Sequence, residues 1–277
     1  MLVGTRTSKL ALLQGRMFAE RSRINGIEIK GIPSHGDENS ERSLKEIGGT
    51  GLFVKRLNEK VLDGEIDCAV HSAKDMPGGI EEDLTVCSVF DWEHFHDALV
   101  LNPGKNEKNL IIGTSSPRRE KQLSRIHPGW TFKNIRGNID TRIEKLRSGE
   151  YDGIVLSEAG IVRMYPEIEF EKIDHRISVP AANQSLIAVV CRRDSKYVEE
   201  IKKTEDPVSR LRFDMERAVS DILDFGCSTP NGIFYHPLEK MLYVDLTVNE
   251  NEITMHRKIE TRQDAVNIAG EIKRILL

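Results

Sequence analysis

Three short segments put charged and hydroxyl side chains where a strand gives way to a helix or turn. In Ile112-Gly113-Thr114-Ser115-Ser116-Pro117-Arg118-Arg119 a strand ends, hydroxyls follow and a helix opens with two arginines. Free N–H groups at a helix start, the helix dipole and guanidinium forks together favour a bound carboxylate or phosphate. The plain alternative is a capped helix with solvated arginines, and spacing alone does not choose between them. Arg136-Gly137-Asn138-Ile139-Asp140-Thr141-Arg142 places two more arginines around another strand-to-helix turn. Val70-His71-Ser72-Ala73-Lys74-Asp75-Met76-Pro77 sets polar residues just past a buried strand. The carboxyl ends of such strands are where α/β sheets place ligands, although a Lys-Asp pair there is more often an ordinary loop pair. Taken together, the basic turns fit one anion site better than unrelated surface patches.

Other motifs carry less. Gly48-Gly49-Thr50-Gly51 before a helix can cradle an anion, yet such a run alone is more often a flexible loop. His94 and His96 lie close together in a linker among carboxylates with no third ligand implied, so no metal site is expected. The nucleotide-binding patterns GxGxxG and GxxxxGK[ST] are absent. Asn183-Gln184-Ser185 fits the glycosylation pattern, which is moot for a cytoplasmic chain. Of the four cysteines, Cys68, Cys87 and Cys191 sit in apolar runs and read as free, packed thiols rather than a disulfide frame. Cys227 differs, lying in the loop-like Gly226-Cys227-Ser228-Thr229-Pro230-Asn231-Gly232.

The elements that must position these groups alternate. A strand at Leu2 to Thr5, a helix from about Ser8 to Asn25 and a strand at Ile27 to Ile32 open the chain. A helix at Leu52 to Leu62 and a strand at Ile66 to His71 complete a first α/β domain. A second such block begins near Asp97, and Leu186 to Cys191 reads as one more buried strand that returns to the first domain. From about Ser209 a long helix, the Cys227 loop, three strand-like runs and a final amphipathic helix form a small α+β domain. The expected domains are residues 1–90 with about 186–206, residues 91–185, and residues 207–277. The net charge of −4 argues against a general nucleic-acid binder. No apolar run approaches the roughly 20 residues that cross a membrane, and Arg6 and Lys9 interrupt any signal core, so a cytoplasmic protein is expected.

In this order the segments resemble the porphobilinogen deaminase family over almost the whole chain. The matching stretches are Gly4 to Leu12, Gly51 to Lys55, His71 to Pro77, Gly113 to Arg119, Arg136 to Arg142, Ala159 to Arg163 and Gly226-Cys227. The resemblance implies two α/β domains like type 2 periplasmic binding proteins, plus a small C-terminal α+β domain bearing a cofactor cysteine. It implies a transferase that joins four porphobilinogen molecules head to tail, with loss of ammonia, into hydroxymethylbilane. A dipyrromethane primer would be held as a thioether on Cys227, where a soft sulfur nucleophile suits capture of an activated pyrrole.

By the same match Asp75 is the catalytic carboxylate, stabilising positive charge and helping to move protons. Lys74, Thr114, Ser115, Ser116, Arg118, Arg119 and Arg136 would hold the cofactor and chain acids. Arg6, Ser8, Arg142 and Arg163 would face the substrate. Arginine stays charged and binds carboxylates bidentately, which suits a product that accumulates acetate and propionate groups. A monomer is implied, with no nucleic-acid or membrane partner.

The sequence departs from the family pattern in places. Pro180-Ala181-Ala182-Asn183-Gln184-Ser185-Leu186 stands where Pro-Ala-x-Gly-Gln-Gly-Ala is usual, losing two glycines at Asn183 and Ser185. Thr50 replaces a lysine, and Ser228-Thr229-Pro230-Asn231 replaces a Gln-Val-Pro-Ile run. The competing readings are a binding protein for a small anionic ligand and a ligand-sensing regulatory domain. The first gives Cys227 and the third domain no use, and the second predicts a DNA-binding or partner segment, where no helix-turn-helix-like extension is evident.

Overall fold

The computed structural model describes residues 1–33, 51–105, 108–224, 229–249 and 251–276. The chain divides into two compact units, Met1–Trp92 with Leu186–Arg217, and Glu93–Ser185 with Ala218–Leu277. Strands and helices are numbered below in chain order.

In the first unit, β1 (Leu2–Arg6), β2 (Glu28–Ile32), β3 (Cys68–Ser72), β4 (Leu84–Phe90) and β10 (Ile187–Arg192) form one sheet in the order β2-β1-β3-β10-β4. Strand β1 runs parallel to β2 and β3, whereas β10 is antiparallel to β3 and β4. The continuous apolar runs of β3 and β10 are buried on both faces, as a helix-covered sheet requires. Helices α1 (Lys9–Arg21) and α2 (Gly51–Leu62) pack on it. Ser8 caps α1, its hydroxyl accepting from the Ala11 N–H at 3.3 Å. The helix stops at Arg21 rather than near Asn25, because the Ser22 hydroxyl takes the Ile24 N–H at 3.1 Å and turns the chain out of the helix. A Cβ at Gly4 would lie 2.3 Å from Ile66 Cδ1, so a larger residue there requires the Ile66 side chain to shift.

Cys87 and Cys191 are not free thiols. They lie on neighbouring β4 and β10 with Cα atoms 6.5 Å apart and are joined as a disulfide; Cys68 is free and buried. Cys87 falls at a bulge, where Val86 and Ser88 pair with the successive residues Val190 and Val189. Sequence could not pair them because 104 positions separate the two, and only the return of β10 into this sheet makes them neighbours. Closing so long a loop restricts the unfolded chain, so Cys87→Ser is expected to lower stability by about 2–4 kcal/mol. Thermal melts without reductant check this, and dithiothreitol should bring wild type and variant together.

In the second unit, β5 (Asp97–Leu101), β6 (Ile111–Gly113), β7 (Thr131–Lys133), β8 (Gly153–Ser157) and β9 (Glu171–Ile173) form a sheet in the order β7-β6-β8-β5-β9. Here too three strands run parallel, and the fourth, β5, lies antiparallel between β8 and β9. Helices α3 (Pro117–Ile126), α4 (Ile139–Arg147) and α5 (Glu158–Met164) follow its parallel strands. The short α6 (Val198–Lys202) belongs to the first unit, and α7 (Pro207–Leu223) continues through the boundary at Arg217. The antiparallel meander β11 (Asn231–His236), β12 (Met241–Val248) and β13 (Asn251–Lys258) precedes α8 (Arg262–Leu276). Arg125 of α3 grips the Asp245 carboxylate of β12 through both terminal nitrogens, at 2.7 and 3.2 Å. The architecture is thus the expected class: two α/β sheets of like order and a small C-terminal α+β region.

Candidate active site

Arg6, Ser8, Lys74 and Asp75 line one pocket in the first unit, together with Gln14, His71 and Ser72. Arg6 ends β1 and Ser8 begins α1, while β3 delivers His71 and Ser72 to a 3-10 turn over Ala73–Asp75. That turn is anchored from outside itself. The Ala73 N–H donates to the Leu186 carbonyl at 2.9 Å, and Arg217 donates to the Met76 and Pro77 carbonyls at 3.3 and 2.5 Å. Buried Thr5 holds β1 in place, its hydroxyl lying 3.1 Å from the Ala11 carbonyl oxygen and 3.3 Å from that of Val70. Ser72 donates to Gln14 Oε1 at 3.0 Å, tying the end of β3 to α1.

Gln14, His71 and Ser72 were missed as site residues. Their signal is polarity out of place: Gln14 shares the buried face of α1 with Ala11 and Phe18, and His71 follows an otherwise apolar strand. Burial pushes the His71 imidazole down to about 4. The pocket thus presents two cations and one carboxylate among neutral donors and acceptors.

The second unit gathers Thr114, Ser115, Ser116, Arg118, Arg119 and Arg142. Ser116 caps α3, accepting from the Arg119 N–H at 3.4 Å; Thr114 accepts from the Ser116 N–H at 3.2 Å; Ser115 donates to the Ile135 carbonyl. Arg118 and Arg119 are 4% and 7% exposed and both grip Asp97, with approaches of 2.7 and 2.8 Å. Arg118 also donates to the Val179 carbonyl, and Arg119 to the Val155 carbonyl and Gln184. Most of their donors are therefore engaged by the protein itself. Burial by itself pushes the Asp97 carboxyl up, but the two guanidiniums overcome it and hold it well below the usual carboxylate range. Sequence reading missed Asp97, although a carboxylate opening a buried strand was a visible signal.

Arg142 donates from Nε to the Gly137 carbonyl at 2.8 Å, and its pKa is lowered by burial and then by the charge of Arg119. Gly137 sits at φ +112°, and a Cβ there would meet Thr141 Cβ at 2.7 Å, so the turn needs glycine. Arg163 donates to the Ser185 carbonyl at 2.6 Å, whereas Arg136 is exposed. Cys227 and Thr50 lie outside the described residues. His94 and His96 turn their Nδ1 atoms to the oxygens of Glu158 at 3.1 and 3.0 Å. Burial raises Glu158, but hydrogen bonds from His96, Lys172 and His94 outweigh it and bring it to about 2.

The two positions that lack the usual glycines both adopt left-handed backbone, Asn183 at φ 61° and Ser185 at φ 77°. Asparagine tolerates this region better than serine does. The left-handed penalty of about 1–2 kcal/mol exceeds glycine's entropic cost of about 0.5–1 kcal/mol, so Ser185→Gly is expected to raise stability by up to about 1 kcal/mol. A higher urea midpoint with an unchanged slope is the readout.

The family description "Porphobilinogen deaminase, dipyromethane cofactor binding domain" matches residues 1–200. This chain belongs to the porphobilinogen deaminase family. Relatives agree over nearly the full length. A probable porphobilinogen deaminase of Picrophilus torridus is 38% identical over 91% of this chain and 94% of its own. One from Archaeoglobus fulgidus is 35% identical, covering 98% and 96%. Another, from Thermoplasma acidophilum, is 42% identical over 83% and 80%. The porphobilinogen deaminase match embraces the Asp75 pocket and every basic turn, as its span of residues 1–200 includes them.

Proposed function

We propose that this enzyme condenses four porphobilinogen molecules head to tail, releasing ammonia, to give hydroxymethylbilane from a dipyrromethane primer on Cys227. The observation that carries the reading is the single pocket joining Arg6, Lys74 and Asp75. Its donor set fits pyrroles bearing acetate and propionate: cations and hydroxyls for the acids, and a carboxylate for pyrrole N–H groups. The bound dipyrromethane supplies the nucleophilic pyrrole carbon to which the first substrate unit is joined.

The protein's part is binding, charge and proton movement. Arg6, Ser8, Arg142 and Arg163 take the substrate acids, with the guanidiniums offering bidentate contacts. Lys74, Thr114, Ser115, Ser116, Arg118, Arg119 and Arg136 serve the acids of the cofactor and growing chain. Arg118 and Arg119 share one negative charge, that of Asp97, so the pair keeps a net positive charge for that role. Asp75 stabilises the positive charge that develops on the substrate methylene as ammonia leaves, and its oxygens can hold a proton moving from the pyrrole. In this reading the enzyme is a cytoplasmic monomer.

The intact mass of the denatured protein tests the anchor. After incubation with porphobilinogen, wild type is expected to carry an excess matching two linked pyrrole units, and Cys227→Ala none. No adduct on wild type would sink the primer reading and favour simple binding of an anionic ligand.

A further inference from the structure

His71 is the penultimate residue of β3, just before the Lys74–Asp75 turn, and lines their pocket while only 5% exposed. Its Nε2 lies 3.2 Å from Oδ1 of Asn58, an α2 residue that is 1% exposed. The Asn58 amide nitrogen donates to Glu81 Oε2 at 2.7 Å. A carboxylate only accepts, so this bond fixes which end of the Asn58 amide faces histidine. An oxygen facing Nε2 in turn requires the proton to sit on Nε2. The relay Glu81–Asn58–His71 therefore specifies one tautomer, and it does so with an uncharged group against the ring.

The charged neighbours come from three directions. Arg6 lines the pocket from β1, Lys74 and Asp75 from the turn, and Glu81 stands behind Asn58 in the following loop. An imidazolium lining this pocket would attract the Asp75 carboxylate and repel any cation forming there, two effects with the same sign. Burial keeps the His71 ring from charging until about pH 4, in line with the geometry.

We propose that Asn58 is a positioning residue that holds His71 as a neutral Nε2–H imidazole, leaving the Asp75 carboxylate uncommitted for the positive charge that develops on the substrate. The proposal rests on the role given to Asp75 above. A neutral amide is the suitable partner here, because a carboxylate at the same place would draw a second proton onto the ring.

The test uses full-length, primer-bearing protein labelled with ¹⁵N-histidine, with His71→Gln to assign the resonance. In wild type, His71 is expected to stay a neutral Nε2–H tautomer between about pH 8 and about pH 5, where an ordinary histidine changes charge. Asn58→Asp should move its protonation into the neutral range. Turnover of porphobilinogen by that variant should then fall at least about tenfold across the same protonation, with KM little changed. N58D/H71Q should lose this acid limb, since no imidazole remains to charge. His71→Gln alone should stay within about tenfold of wild type, which keeps the test open if Asn58→Asp misfolds.

An Nδ1–H tautomer, ordinary titration in wild type, an acid limb that persists in N58D/H71Q, or collapse of turnover in folded His71→Gln would each overturn the proposal. Undiminished turnover in Asp75→Asn would strike the Asp75 reading instead, while the histidine resonances would still report the tautomer.

Discussion

Replacing Asp75 by asparagine is expected to lower kcat for porphobilinogen by about 10²–10³-fold, with a much smaller change in KM. Asparagine keeps the shape and an accepting oxygen but loses the negative charge. That charge is worth most when the substrate methylene becomes cationic, after binding is complete. An interaction strengthened only in the transition state shows in kcat rather than in KM. Asp75 is partly exposed at the pocket wall, so the substitution should leave the fold intact. Steady-state rates beside a melting curve decide the matter. A folded variant with wild-type kcat would remove Asp75 from the chemistry.

The second large effect is on stability. Asp97→Ala is expected to destabilise the protein by about 3–5 kcal/mol, because it strands the buried Arg118 and Arg119 guanidiniums. Asp97 is fully buried and also accepts hydrogen bonds from Ser178 at 2.8 Å and Gln184 at 3.1 Å, so its loss leaves these donors without their partner as well. The pH dependence follows from its lowered pKa. The unfolded carboxyl titrates near about pH 4, so Asp97's contribution is fully present above that value. It is lost progressively as pH falls below it, because the unfolded chain then binds the proton that the folded one refuses. Urea unfolding at neutral and acid pH checks both claims. The gap between wild type and variant should narrow in acid, and a gap that widened would contradict the assignment.

Much of the fold was legible because it rests on local pattern. The apolar runs at Leu2, Cys68 and Ile187 announced strands, and Ser8 and Ser116 announced helix starts that the caps now explain. Strand β4 passed unassigned, although Leu84 to Phe90 is apolar enough, because it is followed at once by the polar turn at Asp91. The short α5 and α6 lack the length that makes helical periodicity visible. At the site, the Lys74–Asp75 pair stood out as polar residues past a buried strand, whereas Arg6 and Ser8 were pointed to by the family resemblance alone. Gln14 and Asn58 were not, since a polar residue on a helix reads as a solvent-facing one until its face is known.

What the sequence determined by itself is the identity of the chemical groups and the elements that bear them: the Lys74–Asp75 turn, the basic helix starts and the α/β alternation. What only the tertiary structure decided is partnership at long range. It joined Cys87 to Cys191 across 104 positions, set Asp97 between Arg118 and Arg119, and turned the amide of Asn58 to His71. Local pattern is written in nearest-neighbour sterics and side-chain period, which a one-dimensional reading can follow. Partners at such separation depend on which strands lie side by side, and in each α/β sheet an antiparallel strand, β10 or β5, sits between strands distant from it in the chain.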